Sequence, residues 1–203
     1  MKQLSSKQIA VIFIIGLLAL IGGFAGQHYL KTSDKGLLPS LSATDFSLLD
    51  HQGQAITNDD LAGKPTAIYF GFTWCPDICP TTLSQMADIK SELIAANSKG
   101  ADDLQLVFFT VDPERDTVTQ MSEYLSLFDA DIIGITGQSD EIAQTLQRFG
   151  VFAKRIDTGD DEYLVDHTAS VFLYRSDGQF KGTISPAEPY EVALAKMEKL
   201  LAQ

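Results

Sequence analysis

Residues 71–80 read GFTWCPDICP and place both cysteines of the chain, Cys75 and Cys79, in one short turn. This turn begins at the end of residues 65–72, a continuous apolar run that is typical of a buried strand. After it, residues 81–96 carry apolar side chains at helical spacing. The chain is therefore predicted to pass from a central strand, through a cysteine-bearing turn, into a long helix.

The patterns on either side of this turn predict an α/β domain. Upstream, residues 45–50 alternate between apolar and polar side chains and are followed by a turn, which indicates a β-hairpin. Downstream, the predicted elements are a strand at 104–111, helices at 117–128 and 139–149, strands at 169–174 and 181–184, and a helix at 190–201. This order is typical of a thioredoxin-like α/β domain, in which helices flank both faces of a mixed central sheet.

The composition excludes several classes of function. The 203 residues include 15 Lys or Arg and 27 Asp or Glu, which gives a formal net charge of −12. A chain this acidic, without a cluster of basic residues, is not expected to bind nucleic acid, because such binding depends on neutralising phosphates. With two cysteines and three histidines, the chain cannot by itself supply a four-cysteine zinc site or a thiolate-held iron–sulfur cluster.

The N-terminal residues predict a membrane anchor. No charged residue occurs between Lys7 and Lys31, and residues 9–26 form an apolar segment of about 18 residues, which is long enough to reach across a bilayer. We expect residues 1–30 to form a single uncleaved transmembrane helix, residues 31–42 a linker and residues 43–203 the folded domain. A signal peptide that is cleaved near residue 25 is the alternative.

The charges that flank this segment predict its orientation. Lys2 and Lys7 precede it, whereas the lysines that follow it are offset by Asp34, so the N-terminus is expected to stay in the cytoplasm. No arginine occurs before Arg115, which favours a bacterial protein over one imported into an organelle. The domain is therefore expected in the periplasm, attached to the bacterial inner membrane by a single helix.

The spacing of the two cysteines disfavours a purely structural disulfide and leaves two functions open. Side chains four residues apart on a helix are about 5–6 Å apart at Cβ, whereas a relaxed disulfide needs about 3.5–4.5 Å. A metal ion held by two sulfurs at roughly 2.3 Å each fits the wider gap, and the start of a helix favours the thiolate form. Thiol-disulfide exchange and binding of a thiophilic metal stay open, with copper ahead of zinc because only two sulfurs are available.

His167 supports the metal-binding alternative. It directly precedes the strand predicted at 169–174. In thioredoxin-like oxidoreductases the loop that enters this strand lies against the active-site turn and ordinarily carries a cis-proline, but this chain has no proline between Pro113 and Pro186. An imidazole is therefore expected where a disulfide reductase has its substrate-binding proline.

Other residues near these motifs are expected to be mainly structural. Trp74 is expected to shield the site as an apolar cover. Glu114 and Asp116 are expected to complement the positive end of the helix predicted at 117–128. Residues 157–162 are expected to form the solvated tip of a hairpin inserted before His167.

Three motifs resemble those of the Sco/SenC family, thioredoxin-fold copper chaperones that help to assemble the dinuclear copper centre of cytochrome c oxidase. CPDICP at 75–80 resembles the family's CPDxCP motif, and VDPERDT at 111–117 resembles its VDPERDT segment. DHT at 166–168 resembles its Asp-His motif followed by Ser or Thr. The similarity covers roughly residues 41–201.

The resemblance implies that Cys75, Cys79 and His167 bind copper as Cu(I), Cu(II) or both. It further implies a chaperone rather than an enzyme, with the copper-bearing subunit of cytochrome c oxidase as recipient and other copper chaperones or a thioredoxin-like reductant as further partners. The alternative interpretation is a thiol-disulfide oxidoreductase. Such a protein would use the Cys75 and Cys79 pair to keep cysteines of the oxidase, or of other periplasmic proteins, reduced.

Overall fold

A computed structural model describes residues 38–159 and 162–202. These residues form a seven-stranded mixed sheet with helices packed on it, together with a separate two-stranded hairpin. The predicted anchor, residues 1–30, and most of the predicted linker lie outside the described residues. Among the helices of the described residues, none combines the length and the hydropathy needed to cross a membrane.

The strands and helices follow one another in a regular order along the chain. They are β1 (Ser47–Asp50), β2 (Ala55–Thr57), β3 (Thr66–Gly71), α1 (Ile78–Ala95), β4 (Gln105–Thr110), α2 (Val118–Leu125), β5 (Ile132–Thr136), α3 (Ser139–Phe149), β6 (Ala153–Gly159), β7 (Glu162–His167), β8 (Val171–Tyr174), β9 (Phe180–Ile184) and α4 (Tyr190–Leu201). The strand order in the main sheet is β2-β1-β5-β4-β3-β8-β9, and β6 pairs only with β7 within the described residues.

The centre of the sheet is formed by β3 and β4, which run parallel to each other. Every residue of β3 is buried, as expected for a strand covered on both faces. Phe70 packs against Phe149 of α3 on one face. The neighbouring Tyr69 points to the opposite face, where its hydroxyl meets Cys79 of α1. Helices α1 and α3 therefore cover opposite faces of the sheet, and α1 begins at the carboxyl end of β3.

Gly71 lets the start of α1 approach the end of β3 closely. A Cβ at this position would lie 2.7 Å from the ring of Phe108 and 3.1 Å from Sγ of Cys79. Contacts this short force the neighbouring atoms to move. Glycine at the last position of β3 thus makes room for the Cys79 sulfur beside the strand.

The structure confirms the predicted thioredoxin-like order of elements and adds one strand. The N-terminal hairpin, β3, β4, β8, β9 and the four helices lie where the sequence predicts them, with ends shifted by a few residues at most. Strand β5 is not apparent from the sequence pattern, because it is short and has Gly134 at its centre. It pairs parallel with β4 and antiparallel with β1, and so attaches the N-terminal hairpin to the rest of the sheet.

The hairpin predicted before His167 is present as β6 and β7. Ala153 pairs with His167, which is the last residue of β7 rather than a loop residue. Because side chains alternate along a strand, Tyr163, Val165 and His167 share one face of the hairpin. Val165 is buried, so this face is turned toward the domain.

Part of the predicted linker packs against the domain. Leu41 is buried, and its backbone N–H donates to the carbonyl oxygen of Gly178 (2.9 Å). The packed structure therefore extends into residues 31–42.

Candidate metal centre

The cysteine loop, residues 72–77, connects β3 to α1 and positions both sulfurs. The backbone N–H of Cys75 donates to the carbonyl oxygen of Phe72 (3.2 Å). Because α1 begins at Ile78, Cys79 lies in its first turn, and the Cys79 N–H donates to Sγ of Cys75 (3.4 Å). Cys79 is fully buried, whereas Cys75 is 8% exposed. Both residues are free thiols in this structure.

The surroundings shift the pKa values of the two thiols in opposite directions. The Cys79 thiol donates a hydrogen bond to the Cys75 sulfur, and backbone N–H groups at the start of α1 donate to it as well. Together these bonds outweigh burial and lower the pKa of Cys75 to about 6. The same thiol–thiol bond, reinforced by burial, raises the pKa of Cys79 far above its usual range. At neutral pH the pair is therefore a thiolate next to a thiol.

The side chain of His167 approaches the buried sulfur from β7. Its Nε2 lies 3.9 Å from Sγ of Cys79, and its Nδ1 lies 3.1 Å from the carbonyl oxygen of Thr168. Since a carbonyl oxygen can only accept, Nδ1 carries the proton and Nε2 presents its lone pair to the sulfur. The ring packs edge-on against Tyr69 and Phe72. Burial lowers the pKa of His167, which favours the neutral form that binds metals.

Tyr69 is a further residue of the site that the sequence motifs do not indicate. Its hydroxyl donates to Sγ of Cys79 (3.5 Å), and burial raises its pKa far above the usual value, so that it stays a donor. A buried tyrosine hydroxyl needs a hydrogen-bond partner. Tyr69 lies two residues before Gly71, so both residues belong to the same face of β3. This spacing is the sequence signal that could have indicated the contact between Tyr69 and Cys79.

The donor set of these residues fits a soft metal ion. Copper prefers sulfur and imidazole nitrogen ligands, whereas hard cations prefer oxygen ligands. Two sulfurs and one imidazole nitrogen therefore suit copper better than a hard cation. The 3.9 Å between Cys79 Sγ and His167 Nε2 is less than the about 4.3 Å spanned by one metal–sulfur and one metal–nitrogen bond, so a single ion can contact both atoms. No group of three or more His, Cys, Asp or Glu side chains in residues 38–159 and 162–202 is already arranged to hold a metal ion.

Asp116 connects the cysteine loop to the central sheet, which corrects its expected role at a helix end. Its carboxylate accepts from the N–H (3.1 Å) and hydroxyl (2.7 Å) of Thr73 and from the hydroxyl of Thr110 at the end of β4 (2.6 Å). Helix α2 begins at Val118, has Thr117 as its N-cap and carries no acidic residue in its first turn. Burial raises the pKa of Asp116 to about 6 despite these hydrogen bonds.

Comparison with known proteins assigns the chain to a family. The family model described as SCO1/SenC matches residues 36–202. The chain belongs to the SCO1/SenC family. An SCO2-like protein from Rickettsia felis is 35% identical over 188 residues, which cover 88% of this chain and 90% of the relative.

Solved structures of other family members have the same fold. ScoI from Bradyrhizobium japonicum, solved with copper bound, is 39% identical with a TM-score of 0.69; the match covers 77% of this chain and 98% of that one. ScoI from Arabidopsis thaliana, also solved with copper bound, is 36% identical with a TM-score of 0.72; the match covers 78% and 97%. BsSco, whose structure is 24% identical with a TM-score of 0.62, is a member of the Sco family of cytochrome c oxidase assembly proteins.

All three residues singled out by the family motifs meet at one end of the sheet in this SCO1/SenC domain. Cys79 is the shared partner, since its N–H contacts the Cys75 sulfur and its own sulfur faces His167. Trp74, the expected cover, is 56% exposed. More than half of the indole surface is therefore open to solvent.

Proposed function

We propose that this protein is a membrane-anchored copper chaperone that receives copper at Cys75, Cys79 and His167 and delivers it to the dinuclear copper site of cytochrome c oxidase. The observation that carries the proposal is the approach of His167 Nε2 to the Cys79 sulfur at 3.9 Å, next to a Cys75 sulfur that is ionised at neutral pH. The copper-bound relatives support copper as the metal.

The chemistry of the three side chains suits transfer better than permanent storage. Cu(I) is soft and tolerates few ligands, so two sulfurs suffice to hold it, whereas Cu(II) favours the imidazole nitrogen. Cys75 keeps some exposed surface and the other sulfur has none. An incoming ligand of the recipient therefore meets the copper ion from the Cys75 side, and exchange proceeds by replacing one protein ligand at a time.

The proposed recipient is the copper-bearing subunit of the oxidase, and the net charge of −12 favours partners with a basic or metal-bearing surface. Other copper chaperones or a thioredoxin-like reductant are further proposed partners. The proposed location is the periplasmic face of the bacterial inner membrane. The apolar, charge-free segment before Lys31 supports this location.

Thiol-disulfide exchange is a second candidate function. It is favoured by the difference in pKa between the Cys75 and Cys79 thiols. The Cys75 thiolate would attack a substrate disulfide and release one substrate thiolate, and Cys79 would then attack the mixed disulfide and release the second. This leaves Cys75 and Cys79 oxidised to a disulfide, so each cycle needs a thioredoxin-like dithiol as reductant. Turnover in an insulin-reduction assay comparable to that of thioredoxin would favour this function over the first.

An anaerobic titration tests the proposed function directly. The reduced protein is titrated with Cu(I) and with Cu(II) against competing chelators, and the reduction potential of its dithiol is measured in parallel. We expect one copper ion of either oxidation state to bind per chain, and Cys75→Ser or Cys79→Ser to weaken binding of both states. Copper binding that is unchanged in both serine variants would contradict the proposal.

A further inference from the structure

The guanidinium of Arg115 lies where three segments of the domain meet. Its Nε donates to Oδ2 of Asp112 in the segment after β4 (2.5 Å). Its Nη1 donates to the carbonyl oxygen of Tyr163 in β7 (3.1 Å), and its Cζ lies 3.6 Å from the centroid of the Tyr163 ring. The same Cζ lies 5.7 Å from the ring of Phe72 and 5.8 Å from that of Trp74, both in the cysteine loop. One side chain therefore contacts the cysteine loop, β7 and its own segment.

A further hydrogen bond closes this arrangement. The hydroxyl of Tyr163 donates to Oδ1 of Asp112 (2.8 Å), so one carboxylate binds both Arg115 and Tyr163. Asp112 is buried, and charge-assisted hydrogen bonds that are shielded from water are stronger than exposed ones. We refer to Arg115, Asp112 and Tyr163 as the arginine clamp.

The arginine clamp holds the strand that carries His167. Tyr163 and His167 lie on the same face of β7, because side chains alternate along a strand. Within the described part of the chain, the hairpin β6–β7 shares no strand pairing with the main sheet. Apart from its short chain connections at residues 150–152 and 168–170, its position over the cysteine loop therefore depends on side-chain contacts, among them the arginine clamp and the packing of His167 on Phe72.

We propose that Arg115 is a positioning residue of the metal centre, which holds β7 against the cysteine loop so that His167 already faces Cys79 before copper binds. This inference rests on the proposed copper function. Ordering a flexible ligand at the moment of binding costs conformational entropy, and a pre-arranged ligand avoids that cost. Loss of the arginine clamp should therefore weaken the binding of Cu(II), which favours the imidazole. Binding of Cu(I) by the two sulfurs should stay nearly unchanged.

The geometry requires arginine and not merely a positive charge. Two different nitrogens of Arg115 donate to two different acceptors, while the same group lies over an aromatic ring. A planar guanidinium can make these contacts together, whereas the single nitrogen of lysine cannot. We therefore expect Arg115→Lys to retain only part of the effect.

The chain offers a matched control on the same tyrosine ring. Arg155 lies over the Tyr163 ring, with Cζ 3.8 Å from its centroid, but it belongs to β6 and bonds to Asp157 of the same hairpin. Its side chain is 53% exposed and reaches Glu114 only at 3.9 Å, a kind of contact that contributes little. Arg155→Met removes an arginine from this ring without touching the link to the cysteine loop.

The first test measures hydrogen exchange in the metal-free, full-length protein in detergent. We expect Arg115→Met to speed amide exchange in β7 by about tenfold, and exchange in β3 and α1 to stay unchanged. Arg155→Met should leave exchange in β7 near that of the parent protein. Equal exchange in β7 for the parent and the Arg115→Met protein overturns the proposal, whatever the copper measurements show.

The second test asks whether Arg115 acts through His167. We expect Arg115→Met to weaken Cu(II) binding by at least about tenfold, as is typical when a residue that orients a ligand is lost, and to shift the sulfur-to-Cu(II) absorption band. In a His167→Ala background the same substitution should change Cu(II) binding less than about twofold. An equal loss in both backgrounds would show that Arg115 acts on general stability and would overturn the positioning role.

Tyr163→Phe covers the case in which Arg115→Met fails to fold. It retains the ring and the carbonyl oxygen and removes only the hydrogen bond to Asp112, so exchange in β7 should rise by about twofold to tenfold, the range expected for one net hydrogen bond. No rise in this variant also contradicts the arginine clamp. If the parent protein binds no copper while exchange in β7 responds as expected, the proposed function fails and the clamp itself stands.

Discussion

Sγ of Cys79 and Nε2 of His167 lie 3.9 Å apart although 88 positions separate the two residues in the sequence. Cys79 is fixed in the first turn of α1, and His167 ends a strand of a hairpin that is separate from the main sheet. The proposed ligand set therefore depends on how the hairpin packs on the domain as well as on the local fold of the cysteine loop.

Replacing His167 should separate the two copper oxidation states. We expect His167→Ala to weaken Cu(II) binding far more than Cu(I) binding, because Cu(II) prefers nitrogen ligands and Cu(I) is satisfied by two sulfurs. Competition titrations and the sulfur-to-Cu(II) absorption band measure the two effects. His51→Ala is the matched control, since the Nδ1 of His51 accepts from the Gly134 N–H outside the site. Tight Cu(II) binding with an unchanged spectrum in His167→Ala would remove His167 from the ligand set.

The two thiols should differ strongly in reactivity. The hydrogen bond from Cys79 lowers the pKa of Cys75 to about 6, so alkylation of Cys75 by iodoacetamide should be half-maximal near pH 6 and level off above pH 7. Cys79 should stay unmodified at neutral pH, because burial and its donated hydrogen bond raise its pKa. Mass spectrometry of the two labelled positions follows both reactions.

Removing the donor gives the control for this experiment. In Cys79→Ala the thiol that bonds to the Cys75 sulfur is absent, and the pKa of Cys75 should move up toward the value of an ordinary thiol, about 8.5. Equal alkylation rates of the two cysteines in the parent protein at pH 7 would contradict the predicted difference.

Asp116 should make the protein less stable as the pH rises from about 4 to about 6. Its pKa is about 6 in the folded protein and about 3.9 in the unfolded chain, so the folded state binds the proton more tightly. Stability is then highest below the unfolded pKa and falls as the pH rises through the folded pKa, by about 3 kcal/mol at most. Urea unfolding at several pH values measures this slope.

The contribution of Asp116 to this slope should be absent in the Asp116→Asn protein, because asparagine does not titrate. Asp60→Asn serves as a control whose effect on the pH dependence has the opposite sign. Hydrogen bonds from Thr57 lower the pKa of Asp60, so Asp60 stabilises the fold above its unfolded pKa and loses this effect as the pH falls. An unchanged slope between pH 4 and 6 in Asp116→Asn would show that Asp116 is not the titrating group.

The N-terminal segment should anchor the chain in the membrane with the domain outside the cytoplasm. A reporter fused after Gln203 should be active only if it functions in the periplasm, and the protein should stay with membranes after alkaline washing. The charge-free stretch between Lys7 and Lys31 is the reason. Release of a soluble protein that starts near Gly26 would instead support a cleaved signal peptide.

Local patterns predict most of the fold and the motifs predict the three candidate ligands, but contacts across the chain are harder to foresee. The strands β3 and β4 are continuous apolar runs, which is why their positions follow from the sequence. Strand β5 is five residues long and interrupted by Gly134, so it gives no clear pattern.

The roles of Asp116 and Arg115 could not be derived for a different reason. Asp116 bonds to Thr73, 43 positions away, and Arg115 bonds to Tyr163, 48 positions away. An acidic residue just before a helix is most simply interpreted as a partner of that helix. Only the packed domain shows that the carboxylate turns to the cysteine loop instead.

The exposed position of Trp74 gives the protein an optical probe of its own. The chain contains one tryptophan, so all indole fluorescence comes from a side chain that directly precedes Cys75 and lies near Arg115. Bound Cu(II) quenches a nearby indole, and a change from thiolate to disulfide alters its emission. We therefore expect the fluorescence of the unlabelled protein to report copper loading at the proposed site and the oxidation state of the thiols in real time.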